Sequence, residues 1–129
     1  MHDLKNPQFI QAALAFQNGN RGFGHGVTRL LLVTSDSRAF FSIRERRQGW
    51  IDGGMFSMSL VYALHSLGLV TCCLNLCVDR LVEKDLKDCL DLQEYEKPIM
   101  MIAVGHPVEK YRVTASVRKP NAEILIRHS

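Results

Sequence analysis

The sequence predicts an α/β or α+β sandwich in which helices pack against a mixed sheet. Three observations predict it. Helix-patterned and strand-patterned segments alternate along the chain as α-β-α-β-α-β. Two runs, Val27 to Thr34, rich in β-branched residues and leucine, and Pro98 to Gly105, almost wholly apolar, have the pattern of buried strands. The chain has 129 residues, 47% of them hydrophobic and 22% charged, which suits one core and a single domain over residues 1–129.

The elements follow in order. Pro7 to Gln17 reads as a helix, with Asn6 as N-cap, Pro7 at the first helical position and an apolar face of Phe9, Ile10, Ala13, Leu14 and Phe16. Gly19 ends it, and a glycine-rich loop runs from Asn18 to Gly26 into the strand Val27 to Thr34. Arg38 to Gln48 is basic and mixed, a short helix or an ordered loop. Trp50 to Leu67 is the strongest helix, with Asp52 available as a cap and Gly68 as the glycine just past its end. Apolar or small residues occupy nearly every face of it, which implies burial on more than one side and hints at a partner subunit or a missing half of the domain. Leu69 to Leu76 reads as a strand. Asp79 to Leu92 reads as an amphipathic helix whose inner stripe is Leu81, Val82, Leu86, Cys89 and Leu90. Pro98 to Gly105 is the second buried strand, residues 106–121 are a basic connection, and Ala122 to Ile126 is a short element of uncertain type.

Composition excludes several classes of function. A net charge of +3, from 16 basic and 13 acidic side chains, is too small to argue for nucleic acid. Residues 53–78 lack any Asp, Glu, Lys or Arg, yet glycine, serine, histidine and asparagine interrupt the run too often for a membrane span. The N-terminus lacks the apolar stretch of a signal peptide, so a cytoplasmic location is expected, with Cys72, Cys73, Cys77 and Cys89 as reduced, buried structural thiols.

Motif by motif, the chemistry is sparse. Gly22, Gly24 and Gly26 precede a strand, whereas the dinucleotide fingerprint follows one and opens a helix. Cys72, Cys73 and Cys77 lack the paired spacing of zinc ligands, so no metal is expected. A catalytic Cys–His pair with His65 or His106 has no support in the spacing. Arg118-Lys119-Pro120 is either ordinary surface charge or a phosphate clamp, since a guanidinium matches phosphate oxygens in a bidentate fork.

Four segments in register resemble the nitroreductase family of flavin oxidoreductases. They are Asn20-Arg21-Gly22-Phe23 leading into the strand at Leu30; Glu45-Arg46 with Trp50-Ile51-Asp52-Gly53-Gly54; Ala63-Leu64-His65-Ser66-Leu67-Gly68-Leu69-Val70-Thr71-Cys72-Cys73-Leu74-Asn75; and Ile102-Ala103-Val104-Gly105-His106-Pro107 followed by Ser116, Arg118, Lys119 and Pro120. The resemblance runs from about residue 18 to the end. It departs from the family at the other end: members are longer and begin with an Arg-Ser-(Ile/Val)-Arg segment that grips the flavin phosphate, absent from these residues.

The resemblance implies an α+β fold with a mixed sheet flanked by helices, here the C-terminal portion of the family fold and thus an incomplete one. It implies FMN as cofactor, with the backbone of Cys73, Leu74 and Asn75 against the ring and with Arg118 and Lys119 on the phosphate. It further implies reduction of nitroaromatic, quinone or similar acceptors by NAD(P)H, and a homodimer. No catalytic side chain is expected, because the flavin carries the hydride chemistry. The alternatives are an inactive truncated remnant, a non-enzymatic interaction fragment, or a small thiol or metal-binding module.

Overall fold

The computed structural model describes residues 1–110, 112 and 115–128. Four strands, β1 (His2–Leu4), β2 (Arg29–Asp36), β3 (Val70–Asn75) and β4 (Glu96–Gly105), form one sheet in the order β1-β2-β4-β3. The α+β class agrees with the sequence reading, but every neighbouring pair among the described residues is antiparallel, not mixed. The reason is topological. The long helix carries the chain from β2 over to β3, so those two strands run parallel, and β4 inserts between them and opposes both. Strand β1 is too short for any periodic signal and was not expected.

Helix α1 (Pro7–Leu14) starts as anticipated: the Asn6 side chain accepts from the Gln8 N–H at 2.9 Å, and Pro7 opens the helix. It ends three residues before Gln17, where the sequence pattern places its end. Helix α2 (Gln48–Ser66) begins beyond Arg47, and Asp52 lies inside it, accepting from Gln48 Nε2 at 2.7 Å instead of capping it. Gly68 ends it with φ +75°. Its N–H donates to the His65 carbonyl and that of Leu69 to the Leu64 carbonyl, the Schellman arrangement that only a left-handed residue permits. Helix α3 (Arg80–Cys89) is capped by Asp79, whose Oδ1 accepts from the N–H groups of Leu81 and Val82. Leu81 is exposed, contrary to the expected stripe, because it lies one residue off the 82–86–90 line that faces the sheet. A last short turn, α4 (Asn121–Ile124), accounts for the uncertain terminal element.

Both sheet faces are covered, as the apolar runs demand. Leu30, Leu32, Leu74, Met101 and Ala103 meet Ile10, Ala13 and Leu14 of α1 and Leu86 of α3 on one face. Leu31, Val33, Ile99 and Ile102 meet Leu60, Val61 and Leu64 of α2 on the other. The β2–β4 register slips between Val33 and Thr34, opposite Met100 and Pro98, so Ile99 is the extra residue of a bulge. Proline lacks the N–H that an unbroken ladder would use there. The bulge turns Ile99 toward α2, and α2 meets it with Gly53. A Cβ on Gly53 would lie 2.8 Å from Ile99 Cγ1 and 2.9 Å from Cγ2, whereas one on Gly54 would meet nothing within 4 Å.

The two glycines should therefore answer alanine with opposite signs. Gly→Ala inside a helix ordinarily stabilises by about 0.5–1 kcal/mol, and Gly54→Ala should raise the melting temperature accordingly. Overpacking costs about 1–3 kcal/mol, so Gly53→Ala should lower it. Equal shifts in thermal melts of the two variants would refute the close approach.

Glu96, at the start of β4, ties three strands together. Its Oε1 accepts from His2 Nε2 at 2.6 Å and from Thr34 Oγ1 at 3.1 Å, and its Oε2 from the Gln93 N–H at 3.1 Å. Burial pushes its carboxyl up, but these hydrogen bonds outweigh burial and hold it below the usual glutamate range. A depressed folded-state pKa stabilises above the unfolded value and is lost as pH falls through the folded one. Thermal melts should thus lose stability below about pH 4.3, the ordinary glutamate value. Glu96→Gln should flatten that part of the acid slope, and an unchanged slope would remove Glu96 from the account.

Candidate functional site

Strand β3 lies at the open edge of the sheet, so alternate N–H and C=O groups along it have no strand partner. Among the three consecutive residues 73–75, at least one N–H must face that edge. Leu74 is 3% exposed and anchors the strand in the core beneath α1 and α3, so only its backbone is on offer. Cys73 and Asn75 are exposed. The Asn75 carbonyl accepts from Gln17 Nε2 at 3.1 Å, which brings the end of the α1 segment onto the end of β3. Around this contact lies a hollow of 320 Å³, lined by Phe16, Gln17, Asn18, Gly19, Asn75 and Cys77, among others.

The edge position corrects one expectation. Cys72, Cys73 and Cys77 are exposed and Cys89 is half-buried; all four are free, and the thiols on β3 are not the buried structural groups expected from the sequence. An edge strand has no neighbour on one side to cover them. Partial burial, and after it the neighbouring Cys72, push the Cys73 thiol up from its ordinary value. It stays protonated near neutral pH, which is the wrong state for a nucleophile. Among the described residues no group of three or more His, Cys, Asp and Glu side chains could hold a metal ion.

Arg118 and Lys119 lie in the exposed, irregular stretch before α4, and among the described residues neither enters an ion pair. Nothing among the described residues joins them to β3. The loop with Gly22 (φ +93°) and Phe23 is held against α1 by Gln11 Nε2, which donates to the Gly24 carbonyl at 2.9 Å, and by Asn20 Nδ2, which donates to the Leu14 carbonyl at 2.8 Å. Sequence reasoning missed Gln17 and the hollow it borders. A glutamine at the end of a helix carries no motif, and the contact spans 58 positions.

A model of the nitroreductase family matches residues 3–106, most of the chain. The chain belongs to the nitroreductase family. Solved structures agree on the nitroreductase fold. NfrA1 of B. megaterium superposes with a TM-score of 0.81 at 17% identity, covering 99% of this chain and 56% of that one. The NfrA1 nitroreductase of B. subtilis gives 0.80 at 15% identity, with 99% and 56% covered. An FMN-dependent nitroreductase of Clostridium difficile R20291 gives 0.71 at 12% identity, with 88% and 66% covered. No curated protein sequence matches the chain closely enough to count as a relative. The chain thus spans 56% of the length of both NfrA1 structures and 66% of the Clostridium difficile one. Among its described residues no helix is long and apolar enough to cross a membrane.

The residues present fit a flavin mononucleotide in kind. The open edge of β3 offers backbone donors beside a solvent-accessible hollow, and Arg118 and Lys119 offer unengaged cations for a phosphate.

Proposed function

We propose that this nitroreductase domain works as an FMN-dependent oxidoreductase in the cytoplasm, taking electrons from NAD(P)H and passing them to nitroaromatic, quinone or similar acceptors. The observation that carries the reading is the match to the family over residues 3–106, with the Cys73–Leu74–Asn75 segment lying on an open sheet edge. Bound FMN would supply the hydride chemistry. The chain's own residues would do the rest. The backbone at Cys73, Leu74 and Asn75 would place donors where negative charge develops on the ring, and preorganised donors cost no rearrangement at the moment of reaction. Gln17 would hold the end of that segment still through the Asn75 carbonyl. Arg118 would grip the phosphate through two N–H groups and Lys119 would add a point charge.

A homodimer formed through α2 belongs to the same reading. One side of α2 packs on the sheet, while Met55, Phe56, Met58 and Tyr62 are 60%, 48%, 45% and 66% exposed. Met55, Met58 and Tyr62, spaced i, i+3, i+7, share one outward face of the helix, and an exposed apolar face of this kind marks an interaction surface.

The test is direct. The purified chain, supplied with FMN, should oxidise NADH or NADPH faster when menadione or nitrofurazone is added, with ping-pong kinetics. A chain that binds FMN but transfers no electrons to either acceptor would favour a non-enzymatic role.

A further inference from the structure

A second site lies away from β3. Between the β2–α2 connection and the start of β4 is a cleft of 450 Å³, within the range of about 300–1,000 Å³ typical of small-molecule sites. None of Cys73, Leu74, Asn75, Arg118 and Lys119 lines it. We propose that it binds a nucleoside monophosphate moiety, with the base against Phe40 and Trp50 and the phosphate at Arg46.

Four features carry this. The walls are aromatic: Phe40 and Trp50 line the cleft, and Phe41 stands 93% exposed on its rim. Its cations differ in how far they are engaged. Lys97 is neutralised by Glu83 at 2.7 Å and sits 5.5 Å from the Trp50 ring centre. Among the described residues Arg46 donates only from Nη1, to the Ile43 carbonyl at 3.2 Å, which leaves the rest of its fork open to them. Arg44 and Arg47 flank it, and among the described residues no ion pair covers any of the three. Residues 44–47 carry three arginines against the one glutamate, and a phosphate dianion would offset that positive excess. Next, the lining acid suits a sugar. Glu45 Oε2 accepts from the N–H groups of Phe41 and Ser42, both at 3.0 Å, so Oε1 is left for a ribose hydroxyl. Finally, the floor is built around a glycine. A Cβ on Gly49 would lie 2.7 Å from Ser35 Oγ and 3.1 Å from Phe40 Cε2, so any side chain there would displace the aromatic wall.

The shared chemistry could come from a free nucleotide or from the adenylate half of a nicotinamide dinucleotide, and the experiment separates them. Trp50 is the only tryptophan in the chain, so its emission reports on this cleft alone. Titration of the flavin-free protein with AMP at low salt should change that emission saturably, and adenosine should bind at least tenfold more weakly. Arg46→Ala should weaken AMP about ten- to a hundredfold with an unchanged melting temperature, and Gly49→Ala should weaken AMP and adenosine alike. Displacement of AMP by NAD⁺ at similar concentrations would assign the site to the dinucleotide; failure to displace it would assign the site to free nucleotides, and either outcome upholds the site. No saturable response to AMP, or equal AMP affinity in the parent and in Arg46→Ala, would overturn the proposal. Neither result depends on FMN binding, so the flavin reading stands or falls separately.

Discussion

Met58→Lys is expected to turn a dimer into a monomer. In sedimentation at micromolar concentration the parent chain should run as a dimer and the variant as a single chain. Met58 is 45% exposed in the isolated subunit and shares the outer face of α2 with Met55 and Tyr62. A lysine there meets water in the monomer and costs the fold little. Within an apolar interface it would be an uncompensated charge on both sides of the two-fold axis, at a cost of about 3–5 kcal/mol. That corresponds to a loss of about two to four powers of ten in dimer affinity. A monomeric parent would refute the dimer, and an equally tight dimer in the variant would move the interface off α2.

Arg118→Ala should weaken FMN binding by about ten- to a hundredfold in a fluorescence-quench titration at fixed salt. Charge-assisted hydrogen bonds to phosphate contribute about 1.5–3 kcal/mol each, and about 1.4 kcal/mol is a factor of ten. Lys119→Ala should have a smaller effect, because an ammonium lacks the bidentate fork. Equal affinity in the parent and in Arg118→Ala would place the phosphate on other residues. The cleft at Arg46 is a natural competitor for the phosphate, so the same titration on Arg46→Ala separates the two sites.

The sequence alone determined the features whose physics is local. Asn6 and Pro7 open α1 and Gly68 ends α2, because a cap or a left-handed turn depends only on residues a few positions away. The apolar runs of β2 and β4 marked buried strands for the same reason, and the Gly68-to-Asn75 pattern placed the candidate flavin segment on a strand. Tertiary structure decided the rest. The insertion of β4 between β2 and β3 made the sheet antiparallel and left β3 at an edge, which exposed its cysteines and freed its backbone. The bulge at Pro98 turned Ile99 onto Gly53, a contact between positions 46 apart that no periodicity reveals. The Arg46 cleft joins the connection after β2 to the first turn of α2 and the first residues of β4. Its chemistry was in the sequence as a basic stretch of no evident purpose, and it became a site only because the sheet brings those three chain segments to the same end.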